Sequence, residues 1–383
     1  MLGKVERSEM YILFAMTQVL LVDKISGITS HTAVAKIRHL TGVKKIGHCG
    51  TLDPAACGLL IMGCGTATRL IRYMSNLDKR YIATITLGTQ TTTDDSEGEI
   101  IYSAPKPSLD KITLESIGRA AEKLSGTIKQ IPSAYSAIKV SGNRAYNLAR
   151  QGIIPKLNAR EVRVHWKFLG DFENNQVHVQ ITCSSGTYVR ALARDMGKFL
   201  GVGGHLSYLK RLSIGPFHLH EIYREINKKE ATMSERTPSG NTQGLTDNMA
   251  ISDNMAISES DKHDCTEPGI NCTELGIKDT CTALREVHYT QGDTLSFTRL
   301  TALQALSRIY KPIEVSQKQA DDLSCGRYIS LGIDSNGPVC AVCKENLIAV
   351  IQPVSAGLWR PETVLSDNRK LNSNAAQDAS GST

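Results

Sequence analysis

A glycine-rich loop that carries one acidic side chain is the feature that most constrains the fold of this chain. Residues 47–54 read Gly-His-Cys-Gly-Thr-Leu-Asp-Pro and precede the apolar run 59–62. Glycine permits backbone conformations that other residues resist, and proline pushes the residue before it towards an extended conformation. Asp53 is therefore held outside a helix, and a rigid loop that holds one carboxylate is a good way to build a nucleophile or a base. Taken alone, such a loop is more typical of an Asx-type turn, in which the aspartate only bonds nearby amides.

Hydrophobic periodicity predicts an α+β protein, because strands and helices intermingle without the regular βαβ order of a doubly wound sheet. The polar segment 91–98 is predicted to be a loop. Ser30 is expected to cap the first helix, and Leu40 and Phe199 are expected on buried helix faces. The predicted strands cover 18–22, 81–87, 162–169 and 177–183, and the predicted helices cover 30–41, 67–77, 113–125 and 188–200.

Charge is spread unevenly along the 383 residues, whose net charge is +6. Segment 231–290 carries −6 and the remainder +12, and this segment contains short repeats such as Asp-Asn-Met-Ala-Ile-Ser written twice. A basic body suggests a polyanionic partner, and the low-complexity insert is predicted to be disordered. The predicted organisation is a larger domain at 16–230, the acidic insert at 231–290, a small β-rich domain at 291–365 and a disordered tail at 366–383.

The ten cysteines do not form a secreted-type framework. Cys340 and Cys343 make one pair without a second pair at zinc-ribbon spacing, which favours a half-buried strand over a metal site. We expect reduced thiols and a cytoplasmic protein. The apolar stretch 11–22 is too short to span a bilayer, so no membrane partner is expected. The sequence leaves open whether the natural start is Met1 or Met16.

Three further segments join the Asp53 loop. Lys-Arg-Tyr at 79–81 opens a strand, a small-residue segment covers 130–142, and Cys-Ser-Ser-Gly-Thr-Tyr-Val-Arg at 183–190 leads into a helix. In this order and spacing, from about Val19 to Phe217, the four segments resemble the pseudouridine synthases, most closely the TruB-type tRNA pseudouridine-55 synthases. A weaker similarity to the PUA-like domain of that family covers about 295–365.

The resemblance implies a role for each matching residue. Asp53 would attack the target uridine, at the ribose carbon or at the base, and Arg190 would pair with it; a nearby guanidinium favours an ionised carboxylate. Tyr81 would stack on the uridine once it is flipped out of the RNA, since the base must be extruded before a carboxylate can reach it. The remaining matches are Tyr188 and Leu209 in the uridine pocket, His48 against the RNA, and Lys24 in a structural role near the pocket.

The resemblance also implies the wider properties of the protein. It implies a mixed, mainly antiparallel sheet with a small PUA-like domain, no metal and no organic cofactor, and a monomer that binds the T-stem-loop of tRNA. The chain departs from the family at Cys49 and Cys57, where threonine is usual, and at Ile25, where proline is common. These changes put fine loop geometry in doubt but leave Asp53 and Arg190 untouched.

Other readings stay open at this point. A guide-RNA-dependent relative is one, although the long segment 88–145 looks more like the stand-alone form. An RNA chaperone that folds tRNA by binding is another, and the substitution Asp53→Asn would separate it from an enzyme. A hydrolase is disfavoured, because such chemistry usually needs a paired acid and these motifs offer no second carboxylate.

Overall fold

The computed structural model describes residues 17–136, 138–140, 142–153, 155–224 and 295–365. Both candidate start residues, the acidic insert and the tail lie outside the described residues. The α-helices are α1 (Ser30–Thr41), α2 (Ile71–Ser75), α3 (Lys106–Leu109), α4 (Leu114–Lys123), α5 (Ala145–Arg150), α6 (Val189–Leu200), α7 (Ala302–Leu306) and α8 (Gln317–Ser324).

A ten-stranded sheet forms the centre of the molecule, with the path β14-β1-β3-β12-β4-β11-β10-β7, while β2 pairs with β3 and β13 with β12. Every pair on it is antiparallel except β3 and β12, so the predicted mixed, mainly antiparallel α+β fold is confirmed. Its strands are β1 (Gln18–Lys24), β2 (Ile46–Cys49), β3 (Cys57–Cys64), β4 (Lys79–Leu87), β7 (Gly126–Gln130), β10 (Arg160–Phe168), β11 (Gln176–Cys183), β12 (Gly204–Ile214), β13 (Phe217–His218) and β14 (Phe297–Thr301).

The C-terminal strands form a second, five-stranded sheet in the order β15-β17-β18-β19-β16 around the buried Trp359. This sheet confirms the β-rich C-terminal region. The domain boundaries remain predictions, and β14, which lies inside the predicted range 291–365, pairs with β1 of the large sheet. The remaining strands are β5 (Thr89–Thr91), β6 (Ile100–Ser103), β8 (Lys139–Val140), β9 (Asn143–Arg144), β15 (Pro312–Glu314), β16 (Ile329–Ser330), β17 (Val339–Cys343), β18 (Asn346–Ser355) and β19 (Leu358–Val364).

Helix α6 is placed by close backbone contact with the large sheet. A Cβ added at Gly197 would lie only 2.1 Å from the carbonyl carbon of Gly203. The helix therefore approaches the start of β12 more closely than any residue with a side chain at position 197 would permit. Leu192 and Met196 are buried on the same side and pack into the larger core. This packing fixes the N-terminal turn of α6, which carries Arg190.

Three local expectations were wrong. Residues 67–77 are not one helix: a 3-10 turn over Gly65–Leu70 precedes α2, because Gly63 of β3 packs directly on the backbone of Ala67. Leu40 and Phe199 are exposed by 46% and 52%, since each lies in the last turn of its helix. Ser30 does not cap α1; Thr29 does, by accepting a hydrogen bond from the amide of Thr32.

Cys340 and Cys343 lie in a strand, β17, as predicted, but this strand is fully buried rather than half-buried. Within the described residues, no group of three or more His, Cys, Asp or Glu side chains is placed to hold a metal ion. None of the described helices is long and apolar enough to cross a bilayer.

Candidate active site

A cleft of about 1080 Å³ opens on the face of the large sheet that carries α6. It brings together five of the side chains that the sequence singled out, although they come from four separate parts of the chain. These are Asp53 from the loop between β2 and β3, Tyr81 from β4, Tyr188 and Arg190 at the start of α6, and Leu209 from β12.

Asp53 and Arg190 form an ion pair in this cleft, with 3.0 Å between Asp53 Oδ2 and Arg190 Nε. The two side chains differ in exposure: that of Asp53 is 43% exposed, whereas that of Arg190 is 6% exposed. The Nε–H is not aligned with the carboxylate and makes no hydrogen bond within the described residues, so the contact is electrostatic. The carboxylate therefore faces the open cleft while its counter-charge lies beneath it.

The guanidinium of Arg190 is fixed by three other groups. Its Nη1 donates to the carbonyl of Thr93 (2.9 Å) and lies 3.3 Å from Oδ2 of Asp95, and its Nη2 donates to the carbonyl of Tyr135 (2.9 Å). A planar guanidinium with its donors occupied has little freedom to rotate. Arg190 therefore meets Asp53 with a preset orientation.

Asp95 is a site residue that the sequence analysis missed, because segment 91–98 was assigned only as a polar loop. Its signal was weak: two adjacent aspartates among threonines, as many surface turns have. The Asp95 carboxylate accepts hydrogen bonds from the hydroxyl of Thr93 and from the amide of Glu97, besides its contact with Arg190. With its oxygens so engaged, Asp95 serves to hold Arg190 and is not a free general acid.

The Asp53 loop is bonded on both sides to the segment that links β1 to α1. The carbonyl of Pro54 accepts from the amide of Gly27 (2.9 Å) and from Nζ of Lys24 (3.2 Å). The Ser30 hydroxyl donates to the Leu52 carbonyl (3.1 Å) and accepts from the Leu52 amide (2.9 Å). The two residues that flank Asp53 are thus fixed. These bonds set the direction in which the Asp53 side chain leaves the backbone, and none of them involves its carboxylate.

Lys24 is fully buried and does not line the cleft. Its ammonium group also donates to the carbonyls of Ile25 (3.0 Å) and Ile28 (2.7 Å). Burial lowers the pKa of Lys24 to about 8. The predicted structural role near the pocket agrees with this geometry.

Tyr81 and Tyr188 present aromatic rings to the cleft. Tyr81 projects from β4 with little exposure, and burial raises the pKa of its phenol. The backbone of Tyr188 is held by Gln130, whose side chain donates to the Tyr188 carbonyl (3.0 Å) and accepts from its amide (2.9 Å). The two tyrosines therefore reach the same cleft from β4 and from the start of α6.

His48 stands apart from the other predicted site residues, because it does not line the cleft. Its ring meets that of His31 edge to face, with 5.5 Å between ring centroids. Burial, His31 and Arg211 lower the pKa of His48.

The chain is similar to known proteins, both in its N-terminal part and over its full length. Residues 38–189 match the TruB family pseudouridylate synthase N-terminal domain. The chain is 98% identical, over the full length of both chains, to a protein of Tropheryma whipplei (strain Twist) named tRNA pseudouridine synthase B. It is 46% identical to the protein of the same name from Thermobifida fusca (strain YX) over 211 residues, which are 53% of this chain and 71% of that one.

Solved structures show the fold alone. A structure of an H/ACA ribonucleoprotein bound to a substrate RNA containing 2′-deoxyuridine includes a similar chain, with a TM-score of 0.55 and 19% identity. The similarity covers 94% of this chain and 87% of that one.

Proposed function

This chain belongs to the TruB family of pseudouridylate synthases, which isomerise uridine in tRNA to pseudouridine, and we propose that it acts on the uridine at position 55 in the T-loop with Asp53 as the nucleophile. The observation that carries the proposal is the Asp53–Arg190 ion pair at 3.0 Å in an open cleft. A carboxylate that is exposed to substrate and backed by a buried guanidinium is equipped to attack rather than to stabilise the fold.

The reaction rearranges one nucleotide without adding or removing atoms. The bond between N1 of uracil and C1′ of ribose breaks, the base rotates, and a bond between C5 and C1′ replaces it. A proton leaves C5 and a proton reaches N1. Asp53 would attack either C1′ or the base, and Arg190 would hold the carboxylate in one orientation between the two stages.

A flipped uridine needs a surface that holds its flat face. We assign this role to Tyr81, with Tyr188 and Leu209 completing the pocket, because all three line the same cleft as Asp53. Aromatic rings bind extruded bases by stacking, and the cost of extrusion is a few kcal/mol.

The polyanionic partner is supported by a basic wall beside the cleft, which we define as residues 131–160. Its sequence contains no aspartate or glutamate and five cations: Lys139, Arg144, Arg150, Lys156 and Arg160. Tyr135, Tyr146 and Arg150 of this wall line the cleft. Cations placed there would track the phosphates of the T-stem, so we expect tRNA affinity to fall steeply with salt.

We also propose that the enzyme works in the reducing cytoplasm. The seven cysteines within the described part of the chain are all free thiols, and six of them are buried. Reduced thiols are the normal state in that compartment.

The test is incubation of the purified protein, without added cofactor, with an unmodified T-stem-loop transcript. Pseudouridine is mapped by chemical modification and primer extension. We expect one modified uridine in the loop, and Asp53→Asn should abolish its formation while tRNA affinity stays within about threefold, because one neutral amide replaces one charge at an unchanged volume.

The matched control is Asp78→Asn, which neutralises an exposed aspartate that is paired at the surface with Arg163 and does not line the cleft. It should leave the rate unchanged. Tight, salt-sensitive binding by the natural chain without any modification would reject the enzyme in favour of the chaperone or the guide-dependent form. A D53N variant that retains the natural rate would reject Asp53 as the nucleophile.

A further inference from the structure

Arg211 lies beneath the cleft and has no role in the reaction as described so far. It projects from β12, its side chain is 1% exposed, and it still contributes to the lining of the cleft. Its Nε donates to the carbonyl of Leu59 (2.7 Å), and its Nη2 donates to the carbonyl of Gly50 (2.6 Å). One guanidinium thus bonds the strand that follows the Asp53 loop and the loop itself.

Arg211 also lies beside Tyr81. The two residues are directly opposite each other in the antiparallel pair of β4 and β12, so their side chains leave the sheet on the same face. Burial raises the pKa of the Tyr81 phenol, and the charge of the Arg211 guanidinium opposes that rise. The contacts of Arg211 therefore extend from the nucleophile loop on one side to the aromatic platform on the other.

The charge of Arg211 is unusual for a buried side chain. Within the described part of the chain it forms no salt bridge with a carboxylate. A buried cation is costly unless its donors are satisfied, and two apolar side chains of similar volume would hold a sheet together at lower cost. A purely structural role explains these hydrogen bonds. It does not explain why this buried position holds a charged arginine rather than an apolar side chain.

We propose that Arg211 is a positioning residue for the isomerisation, which fixes the Asp53 loop and Tyr81 relative to each other from beneath the cleft. The inference rests on the proposed function, since it concerns the geometry in which Asp53 meets a base held by Tyr81. A shift of about 1 Å between reacting groups costs on the order of a hundredfold in rate. The planar guanidinium of arginine donates hydrogen bonds in two fixed directions at once, whereas the single ammonium group of lysine does not.

The experiment measures single-turnover rates and T-stem-loop affinity for Arg211→Lys, with Arg211→Met as a more severe variant. We expect R211K to lose about a hundredfold in rate with affinity within about threefold, at a temperature where circular dichroism shows it folded. The matched control is Arg38→Met: Arg38 donates to the Ile46 carbonyl (2.9 Å) at the start of β2 but does not line the cleft. R38M should keep the natural rate.

A double-mutant cycle with Tyr81→Phe separates positioning from general loosening of the structure. If Arg211 acts by placing the loop against Tyr81, the loss from R211K should shrink to less than about tenfold in the Y81F background, because coupled residues are not additive. An equal loss in both backgrounds would overturn the proposal, as would an R211K rate within threefold of the natural chain. If the natural chain modifies no RNA, the proposed function and this inference are both rejected. If the natural chain is active and R211K has the same rate, this inference alone is rejected.

Discussion

The two walls of the cleft are built in opposite ways. Bonds from distant parts of the chain hold the Asp53 loop, since Lys24, Gly27, Ser30 and Arg211 all reach its backbone. The basic wall is fixed at its two ends. Where it begins, Gln130 bonds to Tyr188, and Arg190 and Arg194 bond to residues 135 and 131; where it ends, Arg160 opens β10 of the large sheet, opposite Gln130.

Between its two ends, the basic wall is mostly self-contained. Within the described residues, strands β8 and β9 pair only with each other, and the helix α5 that follows them has one buried side chain, Ala145. Short elements with few long-range contacts open at a low cost in free energy, whereas a loop bonded to several elements does not. The comparison suggests a division of labour in which the Asp53 loop sets the chemistry and the basic wall adapts to the RNA.

Among the tests of this comparison, neutralising the basic wall should give the largest effect, and it should act on binding alone. We expect the triple substitution Lys139→Gln, Arg144→Gln and Lys156→Gln to weaken T-stem-loop affinity by roughly ten- to thirtyfold at low salt, and to reduce the slope of log affinity against log salt by about 2 to 3. Equilibrium binding across a salt series measures both quantities.

The control for that triple variant is Lys106→Gln with Lys123→Gln, two exposed cations of α3 and α4 that do not line the cleft. This double variant should change the slope of log affinity against log salt by less than the triple variant does. If the single-turnover rate of the triple variant at saturating enzyme fell together with its affinity, the proposed division between the two walls would be wrong.

Removing one bond from the Asp53 loop should have a smaller effect, and it should act on the rate. Ser30→Ala leaves the amide and carbonyl of Leu52 without their hydroxyl partner, which costs about 1–3 kcal/mol of stability. We expect the single-turnover rate to fall about tenfold while RNA affinity is unchanged, because the residue before Asp53 is released. Thermal unfolding and rapid-quench kinetics measure the two effects.

Thr29→Ala is the matched control for S30A, since the adjacent hydroxyl caps α1 and does not touch the loop. Loss of this cap costs about 1 kcal/mol of stability. T29A should therefore lose stability and keep the natural rate. Equal rate losses in both variants would mean that the loop responds to general destabilisation and is not held by Ser30 in particular.

The same serine shows how far the sequence could predict the site. Ser30 stands where a helix cap belongs, and local pattern alone assigns it that role. Its hydroxyl instead reaches a residue 22 positions away, and Arg211 reaches one 161 positions away. Bonds of this kind depend on strand register and on the path of the loops, neither of which periodicity encodes.

Asp53 and Arg190 were predictable for a different reason. Each lies in a segment whose local features, a glycine-rich turn and a strand-to-helix turn, also belong to a family resemblance. Asp95 had no such context, because a run of threonines and aspartates has the composition of any polar turn. The fold class and the main strands followed from periodicity, while the 3-10 turn at residues 65–70 did not, because its apolar spacing is also that of an α-helix.

The smallest effect concerns the charge of His48, which lies at the end of the Asp53 loop next to His31. Burial, the charge of His31 and the charge of Arg211 all lower the pKa of His48 below its usual value of 6.5. The folded-state pKa is thus below that of the unfolded chain, so His48 stabilises the fold fully above about pH 6.5, and this contribution is lost as the pH falls through its folded pKa. We therefore expect His48 to be neutral at pH 7.

Proton NMR titration of the histidine ring signals, assigned with His48→Gln, measures this pKa directly. His31→Gln should raise the pKa of His48 only part of the way to its usual value, since it removes one neighbouring charge and leaves burial and Arg211 in place. Addition of the T-stem-loop tests the comparison of the two walls at the same nucleus. If the Asp53 loop keeps its conformation, bound RNA should change the pKa of His48 only through the charge of its phosphates. The pKa should then rise, and it should rise more at low salt than at high salt. A change in the pKa that persists at high salt would mean that the Asp53 loop, like the basic wall, rearranges when RNA binds.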